Sequence, residues 1–289
     1  MSENTEALIA DLSEIRKVLA SEVKLRSIVI KPLENSLRGL KDAHKNAVVL
    51  AESCAVLENP PAELELPANY HQSIQQLKEI ADENLSELEF TFARDLREAF
   101  SEKGITLGGN SASELVAELF VIKVDMRRKQ VDMTFSRQPV TDKKIKLNVE
   151  QVVAVYERAR REICERNVDL KALLSDLFEA YNRVLKLSDK PIGTRTIIVD
   201  CYRELILVRQ PAAFRKTPSK AKFLDYPKTH FAYDMMQLRR LQQMIFDSHR
   251  LNLGTATIDV GSDSARAMFL ATDALEGQFI QHLYFTKEK

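Results

Sequence analysis

The chain has 289 residues, with 42 basic and 42 acidic side chains, 45% hydrophobic residues and three cysteines. This length and composition are typical of a globular protein with a sizeable core and room for more than one domain. No apolar run approaches the roughly 18 residues of a transmembrane helix, and the N-terminus lacks a secretory signal, so we expect a cytoplasmic location. The cysteines form no CxxC pair, which argues against a disulfide framework or a zinc site.

The zero net charge hides a segregation along the chain. Residues 1–104 carry a balance of −7, residues 105–194 carry +3, and residues 195–250 carry +6. Such asymmetry is a hint of nucleic acid or another acidic partner at the basic part. Eight glycines in 289 residues favour helix over a turn-rich sheet. We expect a mainly α protein with a minor β component (α+β), in three domains: 1–104, 105–190 and 191–289.

The first predicted element is a long helix from about Glu3 to Leu57, in which an apolar seam recurs every seven residues. Pro32 interrupts this pattern, so a kink or break is expected near residues 29–31. One helix cannot bury such a seam alone, which indicates a coiled-coil partner from this chain or another. The seam positions are Leu8, Leu12, Ile15, Leu19, Glu22, Arg26, Val29, Leu33, Ser36, Leu40, Ala43, Ala47, Leu50, Cys54 and Leu57.

A second amphipathic helix is predicted from about Asn69 to Lys103, ending before Gly104. Its spacing favours an antiparallel helical hairpin with the C-terminal half of the first helix. Because the second helix is shorter, the first part of the seam is left for a protein partner or a second copy. The alternative, that later parts of this chain cover it, stays open. The candidate partner-binding residues are Leu8, Leu12, Ile15 and Leu19.

After Gly104 the apolar period changes to strict alternation. The runs Leu119–Val124 and Val131–Phe135 predict a β-hairpin, and Lys143–Leu147 predicts a third strand. Basic residues surround this hairpin, which is either a solvated tip or a phosphate-contacting surface. These residues are Lys123, Arg127, Arg128, Lys129, Arg137, Lys143, Lys144 and Lys146. Asn148 then caps a helix to about Arg166.

A further helix is predicted from Asp169 to Leu187, and Pro191 with Gly193 marks a boundary. The last hundred residues predict two helices, about Thr196–Gln210 and Thr229–Arg250, joined by a long loop. Three short alternating runs follow and end in a β-hairpin around residues 272–277. Helices followed by a terminal hairpin are the element order of a winged-helix domain, although the loop is far longer than the turn of a helix-turn-helix.

No sequence motif for catalysis is present. The glycines fit neither GxGxxG nor GxxxxGK[ST], and GxSxG and HExxH do not occur. The five histidines are scattered, with none close enough along the chain to indicate a metal pair. We therefore expect no catalytic residues, no metal and no cofactor, and no small-molecule substrate is evident. An enzyme whose site is assembled from dispersed residues is the remaining alternative.

Two other functions are compatible with these patterns. The first is a non-enzymatic helical adaptor or accessory subunit that assembles with itself or with a larger cytoplasmic complex through its N-terminal coiled coil. The alternative is a nucleic-acid-binding protein, in which a basic loop interleaved with Phe214, Phe223 and Tyr226 holds a phosphate backbone. In a blander interpretation these aromatic residues only anchor the loop. The candidate nucleic-acid-binding residues are Arg209, Arg215, Lys216, Lys220, Lys222, Lys228, Arg239 and Arg240.

Overall fold

The computed structural model describes residues 3–261 and 263–288, without the side chains of residues 3–11, 18 and 19. The chain mixes helix and sheet, with 51% helix and 18% strand, in agreement with the expected α+β class. It divides into two compact units: the first unit is residues 1–96 with 124–130, and the second unit is residues 97–123 with 131–289. The three predicted domains stay a prediction beside this division. Within the described residues, no helix is long and apolar enough to span a bilayer.

The helices and strands follow the chain in a mostly helical first third and a mixed remainder. The helices are α1 Glu3–Gly39, α2 Ala47–Leu57, α3 Tyr70–Ser101, α4 Val149–Ile163, α5 Leu170–Leu187, α6 Ile198–Val208, α7 Ala212–Lys216, α8 Lys228–Arg240 and α9 Ile258–Gly261. The strands are β1 Leu107–Gly108, β2 Glu114–Ala117, β3 Phe120–Asp125, β4 Gln130–Phe135, β5 Gln138–Pro139, β6 Ile145–Lys146, β7 Thr196–Ile197, β8 Ile245–Phe246, β9 His249–Thr255, β10 Met268–Ala271 and β11 Gly277–Lys287.

In the first unit, the predicted long helix is broken at a different place from the one expected. Pro32 lies inside α1, and the chain leaves the helix only after Gly39, where a 3-10 turn and a bend lead into α2. The Asn46 side chain donates hydrogen bonds to the carbonyls of Asp42, at 2.8 Å, and of Gly39, at 3.4 Å. These bonds satisfy carbonyls that the end of α1 leaves free, so the reversal is stable here rather than at the proline.

The core of the first unit joins two parts of the predicted seam. Val29 of α1 and Leu50, Cys54 and Leu57 of α2 lie in one buried cluster with Ile74 and its neighbours on α3. The seam is thus folded onto itself from residue 29 onward, and α3 completes the packing as the expected hairpin partner. Its length agrees with the prediction, and Gly104 has the left-handed φ of +74° that is common just after a helix. A coiled coil in the strict sense is not confirmed.

The second unit contains two sheets. The first sheet has the order β1-β2-β3-β4-β5, with β6 paired to β4, so the predicted hairpin and third strand are confirmed. Its register places Leu115 opposite Ile122 and Ala117 opposite Phe120, all four fully buried. The Phe120 ring packs 5.5 Å from that of Tyr156 on α4, whose N-terminus Asn148 caps as expected. The opposite face of this sheet carries Glu114, Lys123, Asp132 and Thr134 together with Val116 and Val121.

The second sheet has the order β10-β11-β9-β8, with β7 paired to β11. The terminal hairpin between β10 and β11 is confirmed, and α5 packs on β11 through Phe178 and Tyr181, whose rings lie 5.0 and 5.4 Å from that of Phe285. The predicted helix to Arg250 is wrong beyond Arg240. Residues 245–255 form strands β8 and β9 instead, because the turn at Asp247 and Ser248 takes left-handed φ values of 46° and 57°. A winged-helix arrangement is not confirmed.

Candidate interaction surfaces

The first half of α1 presents an apolar face that α2 does not cover. Leu12, Ile15 and Val23 are 56%, 55% and 65% exposed, whereas Val29, one turn and a half further on, is only 6% exposed. These positions follow the spacing of one helical face. Of the four predicted partner-binding residues, Leu12 and Ile15 are therefore exposed. The side chains of Leu8 and Leu19 lie outside the described residues.

The charges of this helix are segregated along its length. Between Glu3 and Glu14 four acidic residues stand with no basic one, whereas residues 15–26 hold four basic residues and one acidic residue. A helix with an acidic first half and a basic second half is complementary to itself when two copies run antiparallel. The face and the charge gradient occupy the same stretch of α1.

Residues 211–227, which connect α6 to α8, form an exposed segment. Lys216, Lys220 and Lys222 are all exposed, and none has an ion pair within the described part of the chain. Phe223 is 40% exposed and contacts the ring of Phe214 at 5.5 Å. Tyr226, by contrast, is buried and anchors the end of the segment. Tyr226 therefore anchors the segment, and Phe223 is exposed; nucleic-acid binding by this segment stays a prediction.

The other predicted nucleic-acid-binding residues are held against the protein. The Arg209 guanidinium lies 4.4 Å above the Tyr226 ring and 3.7 Å from the Asp176 carboxylate. Lys228 is half-buried at the first turn of α8. Two of the three remaining arginines donate to backbone carbonyls, Arg215 to that of Val208 and Arg240 to that of Thr272 at 3.2 Å. Arg239 is half-buried, and one of its nitrogens has no hydrogen-bond partner in the described structure.

A buried polar network lies beside this segment. Asp234 has no exposed surface, and its two oxygens accept hydrogen bonds from Arg166 at 2.5 Å and from the Tyr226 hydroxyl at 2.6 Å. Burial and the nearby carboxylate raise the pKa of the Tyr226 hydroxyl, so it stays protonated and donates. Burial lowers the pKa of His230, and the Arg166 charge lowers it further. Both carboxylate oxygens are occupied, which gives this network a structural role.

The thiols show no sign of activation. Burial raises the pKa of both Cys164 and Cys201 to about 12, so each is protonated at neutral pH, and an activated nucleophile would have the opposite shift. Cys54 is buried in the core of the first unit, and burial raises its pKa as well. Among the residues that the structure describes, no three His, Cys, Asp or Glu side chains are grouped to hold a metal ion.

The open face of the first sheet forms a groove of about 920 Å³ within the second unit. Its floor carries two ion pairs, Lys123 with Glu114 at 2.8 Å and Lys144 with Asp132 at 2.6 Å. One wall is the tip of the β10–β11 hairpin. Arg137, Asp142 and Lys143 complete the charged lining, together with the uncharged groups Thr134, Pro139, Thr141, Phe269 and Leu275.

At one end of this groove Ser136 and Arg137 form the two-residue turn between β4 and β5. The Ser136 hydroxyl donates to the Phe269 carbonyl at 2.8 Å and accepts from the Ala271 N–H at 3.1 Å, which fixes the turn on strand β10. The guanidinium of Arg137 then lies 4.3 Å above the Phe269 ring and 5.1 Å from the Phe279 ring. The basic character around the hairpin was visible in the sequence, but this stacking was not, because Phe269 is distant along the chain.

No protein-family model matches this chain, and neither a curated protein nor a solved structure matches it.

Proposed function

We propose that this chain is a non-enzymatic helical adaptor that assembles through the first half of α1, and that the partner of this helix is a second copy of it. The observation that carries the proposal is the exposure of Leu12, Ile15 and Val23 on one face, each by more than half. A cytoplasmic setting belongs to the same proposal. It is supported by three cysteines that are all free, as is usual in a reducing compartment.

The charge gradient of α1 favours an antiparallel pair. When two copies cross with residue 15 of one beside residue 16 of the other, Leu12 stands opposite Leu19. The acidic first turns then lie along the basic turns of the partner, whereas a parallel pair would place like charges together. The charge gradient therefore favours the antiparallel direction, and in this register Leu12 meets Leu19 while Ile15 lies beside Arg16.

The strength of this pair follows from its small size. Burying a Leu, Ile or Val side chain contributes about 1.5–3 kcal/mol, and association costs about 4–15 kcal/mol in lost freedom of motion. A few such side chains from each copy exceed this cost by a small margin. We therefore expect a dimer that dissociates on dilution.

Sedimentation velocity over a range of concentrations tests the proposal. The wild-type chain is expected to approach twice its mass of 32.9 kDa, and the variant Leu12→Ser/Ile15→Ser is expected to remain a monomer. The matched control is Leu187→Ser/Ile258→Ser, which removes two apolar side chains that are 79% and 96% exposed in the second unit. A wild-type chain that stays monomeric at high micromolar concentration contradicts self-assembly through α1.

Nucleic-acid binding is the second candidate, supported by the three unpaired lysines beside the exposed Phe223. Labelled duplex and single-stranded DNA should bind with an affinity that falls steeply as salt rises, because phosphate contacts release counterions. Changing Lys216, Lys220 and Lys222 to Gln should remove most of the binding, since they supply most of the loop's free charge. Three exposed lysines elsewhere in the second unit, changed to Gln, are the control: Lys171, Lys186 and Lys190. Equal losses in the two triple variants would argue against a site on the loop.

A further inference from the structure

The turn that carries Arg137 is held in an unusual conformation. Ser136 and Arg137 have φ values of 50° and 59°, in the left-handed region where two-residue hairpin turns usually have Asn and Gly. An arginine there costs free energy that a glycine would not. Because the neighbouring Ser136 is pinned to β10, the position of the arginine is fixed rather than mobile. The turn at Asp247 and Ser248 has the same pair of left-handed φ values, so this conformation fixes the arginine but does not by itself mark a ligand site.

The Arg137 side chain is arranged to receive an anion. Its guanidinium stacks on two aromatic rings, which restricts its orientation before any ligand binds. Less side-chain conformational entropy is therefore lost on binding than for a mobile arginine. The side chain is exposed at the groove, and the described residues offer it no carboxylate partner. Lys123 and Lys144, which line the same groove, are each already paired with an acidic residue. Arg137 and Lys143 are therefore the cations of the lining that remain for a ligand, and Asp142 is an acidic residue of the same lining.

We propose that this groove binds a small organic phosphate monoester, with Arg137 as its anion anchor and Lys143 as the second cation. A phosphate monoester carries a charge of about −1.5 to −2 at neutral pH, which matches two free cations better than a carboxylate does. The fork of an arginine matches two phosphate oxygens.

The size and lining of the groove favour a small ligand over a polymer. Its volume of about 920 Å³ leaves room for an organic group beside Leu275 and Pro139. A nucleic-acid strand would need more free cations and exposed rings for its bases, whereas Phe269 is 5% exposed and covered by Arg137.

Isothermal titration calorimetry on the full chain tests this site with adenosine 5′-monophosphate and ribose 5-phosphate as probes. Both are expected to bind, and adenosine, acetate and inorganic phosphate are expected to bind at least tenfold more weakly. Arg137→Gln should weaken binding of the monoesters roughly tenfold or more, the usual effect of losing a hydrogen bond to a charged group. Arg137→Gly should also lose binding yet unfold at the same temperature or higher, because glycine relieves the left-handed strain.

Arg195→Gln is the matched control. Arg195 is also an exposed arginine in the second unit, and its guanidinium lies 5.4 Å above the ring of Tyr284. This control should bind the monoesters as the wild type does. The proposal is overturned if neither monoester binds at millimolar concentration, or if the Arg137 and Arg195 variants lose affinity equally. Equal affinity for inorganic phosphate and the monoesters would show an anion site that does not recognise the organic group, which also overturns the proposal. Tighter binding of a short DNA strand than of the monoesters would show a polymer site and overturns it as well.

Discussion

Asp234 is the residue on which the second unit depends most clearly. Its carboxylate is completely buried, and Arg166 and Tyr226 bind one oxygen each. Removing one partner of such a pair leaves the other charge buried without compensation. We therefore expect Asp234→Ala to lower the free energy of unfolding by about 3 kcal/mol, as measured by urea denaturation of the full chain.

The control for this change is an exposed ion pair in the same unit. Asp200 and Arg203 are one helical turn apart on α6, with their charged atoms 3.0 Å apart and their side chains largely exposed. Exposed pairs contribute little, so Asp200→Ala should change the free energy of unfolding by about 1 kcal/mol or less. Equal losses from the two variants would show that burial of the Asp234 pair does not matter.

His230 gives the second unit a dependence on pH. Burial, then the Arg166 charge, lowers its pKa in the folded chain below the ordinary value of 6.5, while Asp234 and Asp225 oppose the shift. The unfolded chain consequently binds protons more readily than the folded chain. The free energy of unfolding therefore falls as the pH falls from 7 through 6.5 toward the pKa of His230 in the folded chain. His282 shifts in the same direction, also through burial.

Urea denaturation at pH 7.5, 6.5 and 5.5 measures this effect, above the range where most carboxylates titrate. The free energy of unfolding is expected to fall with pH in the wild type and to fall less in His230→Gln. His71→Gln, which changes an exposed histidine of the first unit, should keep the wild-type slope. An unchanged slope in His230→Gln would contradict the assignment.

Among the elements, α1 carries the strongest expectation about assembly. In the antiparallel register a spin label at Leu37→Cys, a position 68% exposed, lies far from its copy. The two labels are separated by about 43 helical residues, or about 65 Å at 1.5 Å per residue. Dipolar electron resonance on the dimer should report this distance. A separation under about 20 Å would indicate a parallel pair instead. The wild type, treated with the same label, measures the signal from its three native cysteines.

The elements that could be predicted are those with local signals. Asn148 and Asp169 cap their helices with their own side chains, so both N-termini follow from a few neighbouring residues. The end of α1 could not be predicted in this way, because it depends on Asn46, seven residues beyond Gly39, and on the fit of α2 against α1. The strands after Arg240 were missed because apolar residues there also fit a helical period.

The candidate surfaces divide in the same way. The face of α1 follows from a repeat that can be read along the chain, and the structure shows Leu12 and Ile15 of it exposed, while partner binding stays a prediction. The inward orientation of Arg209 could not be foreseen, since its contacts with Asp176 and Tyr226 are made only by folding. The Arg137 site joins Phe269 and Phe279 to a distant turn, and no local pattern contains that contact.

At the scale of the whole molecule, self-association and stability are linked. A dimer that forms only from folded chains stabilises them by mass action, so the unfolding temperature of the full chain should rise with protein concentration. We expect this rise in the wild type and its absence in Leu12→Ser/Ile15→Ser, measured by calorimetry over a hundredfold range of concentration. An unfolding temperature that does not change with wild-type concentration would contradict the link.

The Ser136 hydroxyl has a consequence beyond its turn. Strand β10 lies at the end of the second sheet, where unpaired backbone groups would invite a strand from another molecule and lead to aggregation. Ser136 occupies two of these groups, the Phe269 carbonyl and the Ala271 N–H, with a single side chain. The residue that fixes the turn therefore also covers two backbone groups of a sheet edge, so a change at this position alters the turn and exposes the edge together.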